Sequence, residues 1–326
     1  MKKKSIYRHI DIIFISVSIF IFFIYNLNRI SYGLPYFWNP DEIAFQGSIL
    51  SSIFFLTNYF EFNYNPFFAP LINSILILNS IFINELLINS LSLSEIKSKL
   101  YFNTEIFIFY GILVSLIIKT FSIFILYKIF KKLKINFLIY GILLVAFMSS
   151  TVTLNLSTIM SKNSSNLLLY VIQLYFFIKY LLKINKFDFK SYLIFGALAS
   201  IAWGVNYWPA FISIFAVFFL HYKKFRFLKY YYLLTFITIF ILFGPILNLF
   251  FVNMSPIEHL SYSKDFEKLD NFEISLFLEV ISKRIFDSIK IIYFTDKNII
   301  LLTLITPVFL LNKFTNFKKE FFLILF

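Results

Sequence analysis

The sequence predicts an all-α membrane protein: a polytopic helix bundle of about eight spans plus a truncated ninth, with external juxtamembrane helices. Three observations predict it. Of the 326 residues 60% are hydrophobic and 14% charged, with a mean hydropathy of +0.80. Soluble domains sit near half apolar and about a quarter charged. Apolar runs of about twenty residues recur along the chain, long enough to cross a hydrocarbon core. The Lys and Arg residues gather in the short stretches between those runs, where they set orientation rather than bind a ligand. Residues 1–326 read as one membrane domain, because the bilayer supplies the apolar surroundings that a soluble core would otherwise provide.

The first element follows a basic start, Lys2, Lys3, Lys4 and Arg8, and runs from Ile10 to Ile30. No small-x-small cleavage pattern occurs in Tyr25–Arg29, so it reads as an uncleaved span with a cytoplasmic N-terminus. Basic clusters at Lys128/Lys131/Lys132/Lys134, Lys183/Lys186/Lys190, Lys223/Lys224/Arg226/Lys229 and Lys313/Lys318/Lys319 are then cytoplasmic too. That fixes residues 31–104 as a first external loop with two juxtamembrane helices. Pro66–Asn89 is apolar enough to span, yet counting it would turn every later basic loop outward. It reads instead as a re-entrant or interfacial helix, with Asn73, Asn79, Asn84 and Glu85 among its polar positions.

The later spans are expected at 105–128, 136–155, 165–183, 191–207, 208–221, 229–252 and 298–313, with Asn206-Tyr207-Trp208-Pro209 as an external turn. Residues 253–297 form a second external loop. Within it Ile274, Phe277, Leu278, Ile281, Ile285 and Ile289 share one helical face, as in a helix lying on the membrane. The chain stops at Phe326, six residues into a new apolar run, and is expected to be incomplete at its C-terminus.

Several function classes are excluded. The net charge of +13 is topological in its placement, so no nucleic-acid partner is expected. The absence of cysteine removes disulfides, thiolate metal sites and Cys nucleophiles. Forty-eight Phe reflect a compositional bias rather than ligand stacking. No phosphate-cradling glycine loop, zinc-protease spacing or Gly-x-Ser-x-Gly element occurs, which leaves cytoplasmic nucleotide-sugar chemistry without support. Lys119, deep in the second span, is expected either to pair within the bundle or to snorkel. Trp38, Trp203 and Trp208 read as interfacial anchors.

Phe37-Trp38-Asn39-Pro40-Asp41-Glu42 is the most informative stretch. It emerges at the far face directly after the first span, and two adjacent carboxylates at that depth are costly unless hydrated, paired or used. Asp41 and Glu42 are therefore the leading candidates for chemistry; the alternative is a solvated loop that happens to carry two acids. Glu61 fits a solvated face better.

Taken with Asn65-Pro66 and Pro70-Leu71, the pair resembles the membrane glycosyltransferases of the GT-C fold, of the protein O-mannosyltransferase and aminoarabinose-transferase type. In that family an Asp-containing motif on the first external loop precedes a juxtamembrane helix and a His/Lys-Pro-Pro-Leu element. The latter is reduced here to Asn-Pro with Pro70 displaced. Lys162 followed by Asn166 resembles the family's basic-then-Asp pattern, with Asn in place of Asp. Gly196-Ala197-Leu198-Ala199-Ser200 resembles its Gly-rich span.

The resemblance implies transfer of a sugar from a polyprenyl-phosphate donor to a lipid, glycan or protein acceptor on the external face. The setting would be a multi-pass protein of the bacterial inner (cell) membrane, its active site periplasmic. Asp41 would act as general base, with Glu42 orienting the acceptor or Asp41, or contacting the donor. Asn65, Lys162, Asn166 and His259 would contact substrate, Lys162 and His259 facing the departing lipid phosphate. The partners implied are the donor and membrane lipids. No cofactor is implied, and a divalent metal stays open. The rival readings are a transporter or flippase for lipid-linked glycans, and an inactive assembly subunit of the same fold.

Overall fold

The computed structural model describes residues 2–29, 82–92, 104–150, 162–205, 207–226 and 228–247, with isolated helical positions at Ser94, Glu95, Ser98, Lys283 and Phe286. All the regular structure among them is helical. In chain order it comprises α1 (Lys2–Leu27), a π-helical turn (Phe82–Ile88), α2 (Thr104–Lys132), α3 (Phe137–Ser149) and α4 (Lys162–Leu182). A 3₁₀ turn (Ile184–Lys186), α5 (Phe189–Val205), α6 (Tyr207–Phe225) and α7 (Tyr230–Ile241) follow, the last running into a second π-helical turn (Leu242–Ile246). Asp41, Glu42, Asn65 and His259 lie outside the described residues, as do the span expected at 298–313 and nearly all of 253–297.

Among the described residues two segments, Phe109–Lys132 and Ser164–Leu182, are long and apolar enough to cross a membrane; Asp11–Leu27, Phe137–Ser149, Phe189–Val205 and Tyr230–Ile246 are apolar but shorter. Three expected boundaries are corrected. The helix expected over 136–155 starts where the Asn136 side chain accepts from the Leu138 amide at 3.2 Å, but it stops at Ser149, and Ser150 is extended. Ser149-Ser150-Thr151 explains the stop, since hydroxyl side chains compete for backbone groups. The helix expected over 208–221 continues to Phe225, its last turn carrying Lys223 and Lys224, where cations complement the helix dipole. The helix expected over 229–252 changes to π geometry at Leu242 because Pro245 cannot donate to the ladder.

Side-chain packing sets the directions of the helices. Along one groove Ser16, Ile19, Phe20 and Phe23 of α1 face Ile117, Thr120, Phe121 and Phe124 of α2, and farther along Asp11 meets Lys131. The two helices are therefore antiparallel. Phe14 packs edge-on to Phe137 at 5.4 Å while Phe22 and Tyr25 share a groove with Met148, so α1 and α3 run parallel. Ile125 and Ile129 of α2 join Val171, Phe177 and Ile178 of α4 in a second core that α5, α6 and α7 close.

One end of the bundle is consequently basic. There the Asp11 carboxylate accepts from the Tyr140 hydroxyl and from Lys131 Nζ (3.4 Å), which also donates to Tyr127 at 2.9 Å. Lys224 Nζ donates to the carbonyls of Asn185 (3.0 Å) and Phe187 (2.6 Å), tying the 183–187 turn to the end of α6. Asp11→Ala strands the buried Tyr140 hydroxyl and removes a charged acceptor, which costs about 1–3 kcal/mol. A lower thermal midpoint for Asp11→Ala than for wild type is the expected result in detergent unfolding.

The glycine-rich stretch of α5 does a packing job. A Cβ on Gly196 would sit 3.0 Å from Ile239 Cγ2, and one on Gly244 would sit 3.4 Å from Ser200 Cα. Ser200 Oγ donates to the Gly196 carbonyl (2.8 Å) and to the Ile239 carbonyl on α7 (3.2 Å). Small residues let two helix backbones approach and exchange such bonds. Gly196→Val is expected to destabilise by about 1–3 kcal/mol through overpacking, with Ile239→Ala restoring part of the loss in a double-mutant comparison of thermal midpoints.

Candidate functional site

The end opposite the basic one holds polar atoms that the bundle buries without satisfying. Helix α4 begins there at Lys162, and its first turns place Ser164, Ser165 and Asn166 in the interior. Asn166 is 8% exposed, and its Oδ1 and the Ser164 Oγ have no hydrogen-bond partner. At the end of α1, Asn26 is fully buried; its Nδ2 donates to the Phe22 carbonyl at 2.8 Å, and its Oδ1 has no partner. A buried polar atom left without a partner costs about 1–3 kcal/mol, so each of these is a place where a ligand or water would be stabilising.

The π-helical turn Phe82–Ile88 meets the same end. Its Glu85 is buried and accepts from Asn84 Nδ2 (3.2 Å) and Asn89 Nδ2 (3.1 Å). Tyr110, near the start of α2, lies within reach of both Asn84 and Glu85, and Leu91 packs on the first core. Ile83, Leu87 and Ile88 point outward instead. Just beyond, Glu95 and Ser92 form a reciprocal cap: the Ser92 amide and hydroxyl donate to Oε2 at 2.7 and 2.6 Å, and the Glu95 amide donates to Ser92 Oγ at 3.3 Å. Those bonds from Ser92 hold the Glu95 carboxyl below its ordinary 4.5.

Of the residues singled out from sequence, Lys162 and Asn166 are thus placed one helical turn apart at the start of α4. Sequence reading alone did not single out Asn26, Ser164 or Ser165. Asn26 sits inside an apolar run, where the only signal was an amide in a spanning helix.

Lys119 is the other surprise. It is 2% exposed, and its Nζ has no hydrogen-bond partner, so it neither pairs nor snorkels as expected. Ser115, Lys119 and Ser122 follow at i, i+4 and i+7 along one buried face of α2. Ser122 Oγ is satisfied by the Ile118 carbonyl at 2.8 Å, whereas Ser115 Oγ has no partner. Among the described residues no group of three His, Cys, Asp or Glu side chains could hold a metal ion. No family model, curated protein or solved structure matches the chain.

Proposed function

We infer that the chain is a multi-pass integral membrane protein, basic end in the cytoplasm, that transfers a sugar from a polyprenyl-phosphate donor at the opposite face. One observation carries the reading. Because α1 and α2 are antiparallel, Leu27 and Thr104 lie at the same end, so residues 28–103 leave and re-enter the bundle there. That stretch contains Asp41, Glu42 and Asn65, and its two exits are at the end where Lys162 and Asn166 begin α4 and which also holds the partnerless Asn26 Oδ1, Ser164 Oγ and Asn166 Oδ1.

The membrane setting is supported by an inside-out distribution of side chains. Phe20, Ile21, Ile142 and Leu234 are each more than 60% exposed, while Asn26, Lys119, Asn166 and Gln173 are buried. Water would penalise that apolar surface, and lipid would not. The three basic segments that the structure describes meet at the other end, as segments retained in the cytoplasm would. In the reaction a carboxylate takes the acceptor proton while the acceptor oxygen or nitrogen attacks the anomeric carbon, and the lipid phosphate departs as the leaving group. Asp41 is assigned that role, Glu42 an orienting one, with Asn65, Lys162, Asn166 and His259 on the substrate. A donor radiolabelled in its sugar, added to membranes that contain the protein, should yield labelled acceptor. The reading fails if membranes with and without the protein give equal transfer.

The buried, partnerless Lys119 favours a second reading, a transporter or flippase for lipid-linked glycans, because such proteins place ionisable groups near the midplane.

A further inference from the structure

Helix register brings five partnerless polar atoms to one depth of the bundle. Asp11 meets Lys131 across the antiparallel pair α1 and α2. Counted along both helices from that contact, Asn26 falls at the level of Leu116, next to Ser115. The Lys132 ammonium lies 4.7 Å from the centre of the Tyr175 ring. Both side chains lean toward the N-termini of their helices, so their backbones are about level. Helices α2 and α4 both run toward the basic end, and Lys119 is then level with Lys162, where α4 starts. Asn26 Oδ1, Ser115 Oγ, Lys119 Nζ, Ser164 Oγ and Asn166 Oδ1 thus fall within roughly 12 Å along the axis. They stand on α2 and on two helices packed against it, and each of these residues is 0–8% exposed. Gln173 Nε2 and His221 Nε2 are also partnerless but lie nearer the basic end.

The layer is positive. The Cβ of Lys119 tilts toward the N-terminus of α2, hence toward Ser115. Its charge is uncompensated there: Asp11 pairs with Lys131 at the basic end, and Glu85 lies beside Tyr110, nine residues before Lys119. The first turn of α4 adds amides that have no acceptor within the helix, at the positive end of its dipole. An ammonium kept from water is stable only beside an opposite charge. Burial this complete admits a small ion with its waters and shuts out a lipid headgroup. The two amide oxygens accept, which suits the waters such an ion retains.

We propose that this layer binds a small inorganic anion of the size of chloride, which enters from the far face. Lys119 is its charge partner, and the Ser115 and Ser164 hydroxyls donate to it. The site goes beyond sugar transfer and depends on no step of it.

The test is thermal unfolding of the full chain in detergent, in sodium chloride and in sodium gluconate at equal ionic strength. Chloride well above its dissociation constant should raise the wild-type midpoint by roughly 2–4 °C relative to gluconate, whose anion is too large to enter. Lys119→Met, expected to be the more stable protein in gluconate, should show no shift, and Ser115→Ala a smaller one. Equal wild-type midpoints in the two salts, or the full shift in Lys119→Met, overturn the site. A thiol reports on access. The chain has no cysteine, so Ser115→Cys offers a single target for methanethiosulfonates added at the far face. Its preference for an anionic sulfonate reagent over a cationic trimethylammonium one should fall about threefold or more when Lys119→Met is added. No reaction with either reagent, or a preference that Lys119→Met leaves unchanged, overturns the site as well. Chloride-dependent stability without sugar transfer would leave the site standing and remove the enzyme reading. Transfer without chloride dependence would do the reverse.

Discussion

Asp41→Asn is expected to lower sugar transfer by about 10²–10⁴-fold, the usual contribution of a positioned general base. The substitution keeps the volume of the side chain and removes its ability to take a proton. In the proposed mechanism the lipid phosphate is assigned to other residues, Lys162 among them, so donor binding should be unchanged. The loss should therefore fall on kcat with KM little altered. Glu42→Gln should cost less, as an orienting role implies. The measurement is transfer from radiolabelled donor in membranes at matched expression, and undiminished transfer by Asp41→Asn would take the acidic pair out of the mechanism.

Lys119→Met is expected to raise stability by about 2 kcal/mol. A Lys at the centre of a spanning helix costs about 2.5–3.5 kcal/mol on insertion scales, and Lys119 recovers none of that through a hydrogen bond. Methionine has a similar length and adapts to an irregular interior. It lies fifteen residues into α2, roughly 22 Å from the end at which the chemistry is assigned. The thermal midpoint should rise while transfer stays within about twofold of wild type. A more stable protein that has lost its activity would instead favour the transporter reading, in which a midplane charge is part of the pathway.

Much of the fold was legible because apolar length and the placement of Lys and Arg are strong signals. The ends of α2 and α4 fall within four residues of those expected, since both are bounded by charged or polar residues. Helix α3 was overextended because hydropathy averages across Ser149-Ser150-Thr151, while helix termination depends on those individual hydroxyls. The π-helical end of α7 was signalled by Gly244-Pro245, but a run of apolar neighbours masked it.

Of the site, the sequence showed chemistry but not enclosure. Asn166 was singled out through a family pattern; what places it in the interior with Ser164 and Ser165 is the packing of α4 on α2, which no local pattern encodes. The isolation of Lys119 was equally illegible, because a sequence cannot say that no partner arrives from another helix.

The absence of cysteine allows the central claim, that residues 28–103 return to the face opposite the basic segments, to be tested with single introduced thiols. Asn28→Cys and Ser94→Cys are exposed at the far end, and Lys134→Cys and Asn185→Cys fall at the basic end. In intact cells a membrane-impermeant maleimide should label the first two, and should reach the other two only after permeabilisation. Labelling of Asn28→Cys and Asn185→Cys with protection of Ser94→Cys would place an odd number of crossings between α1 and α2, and would contradict the account.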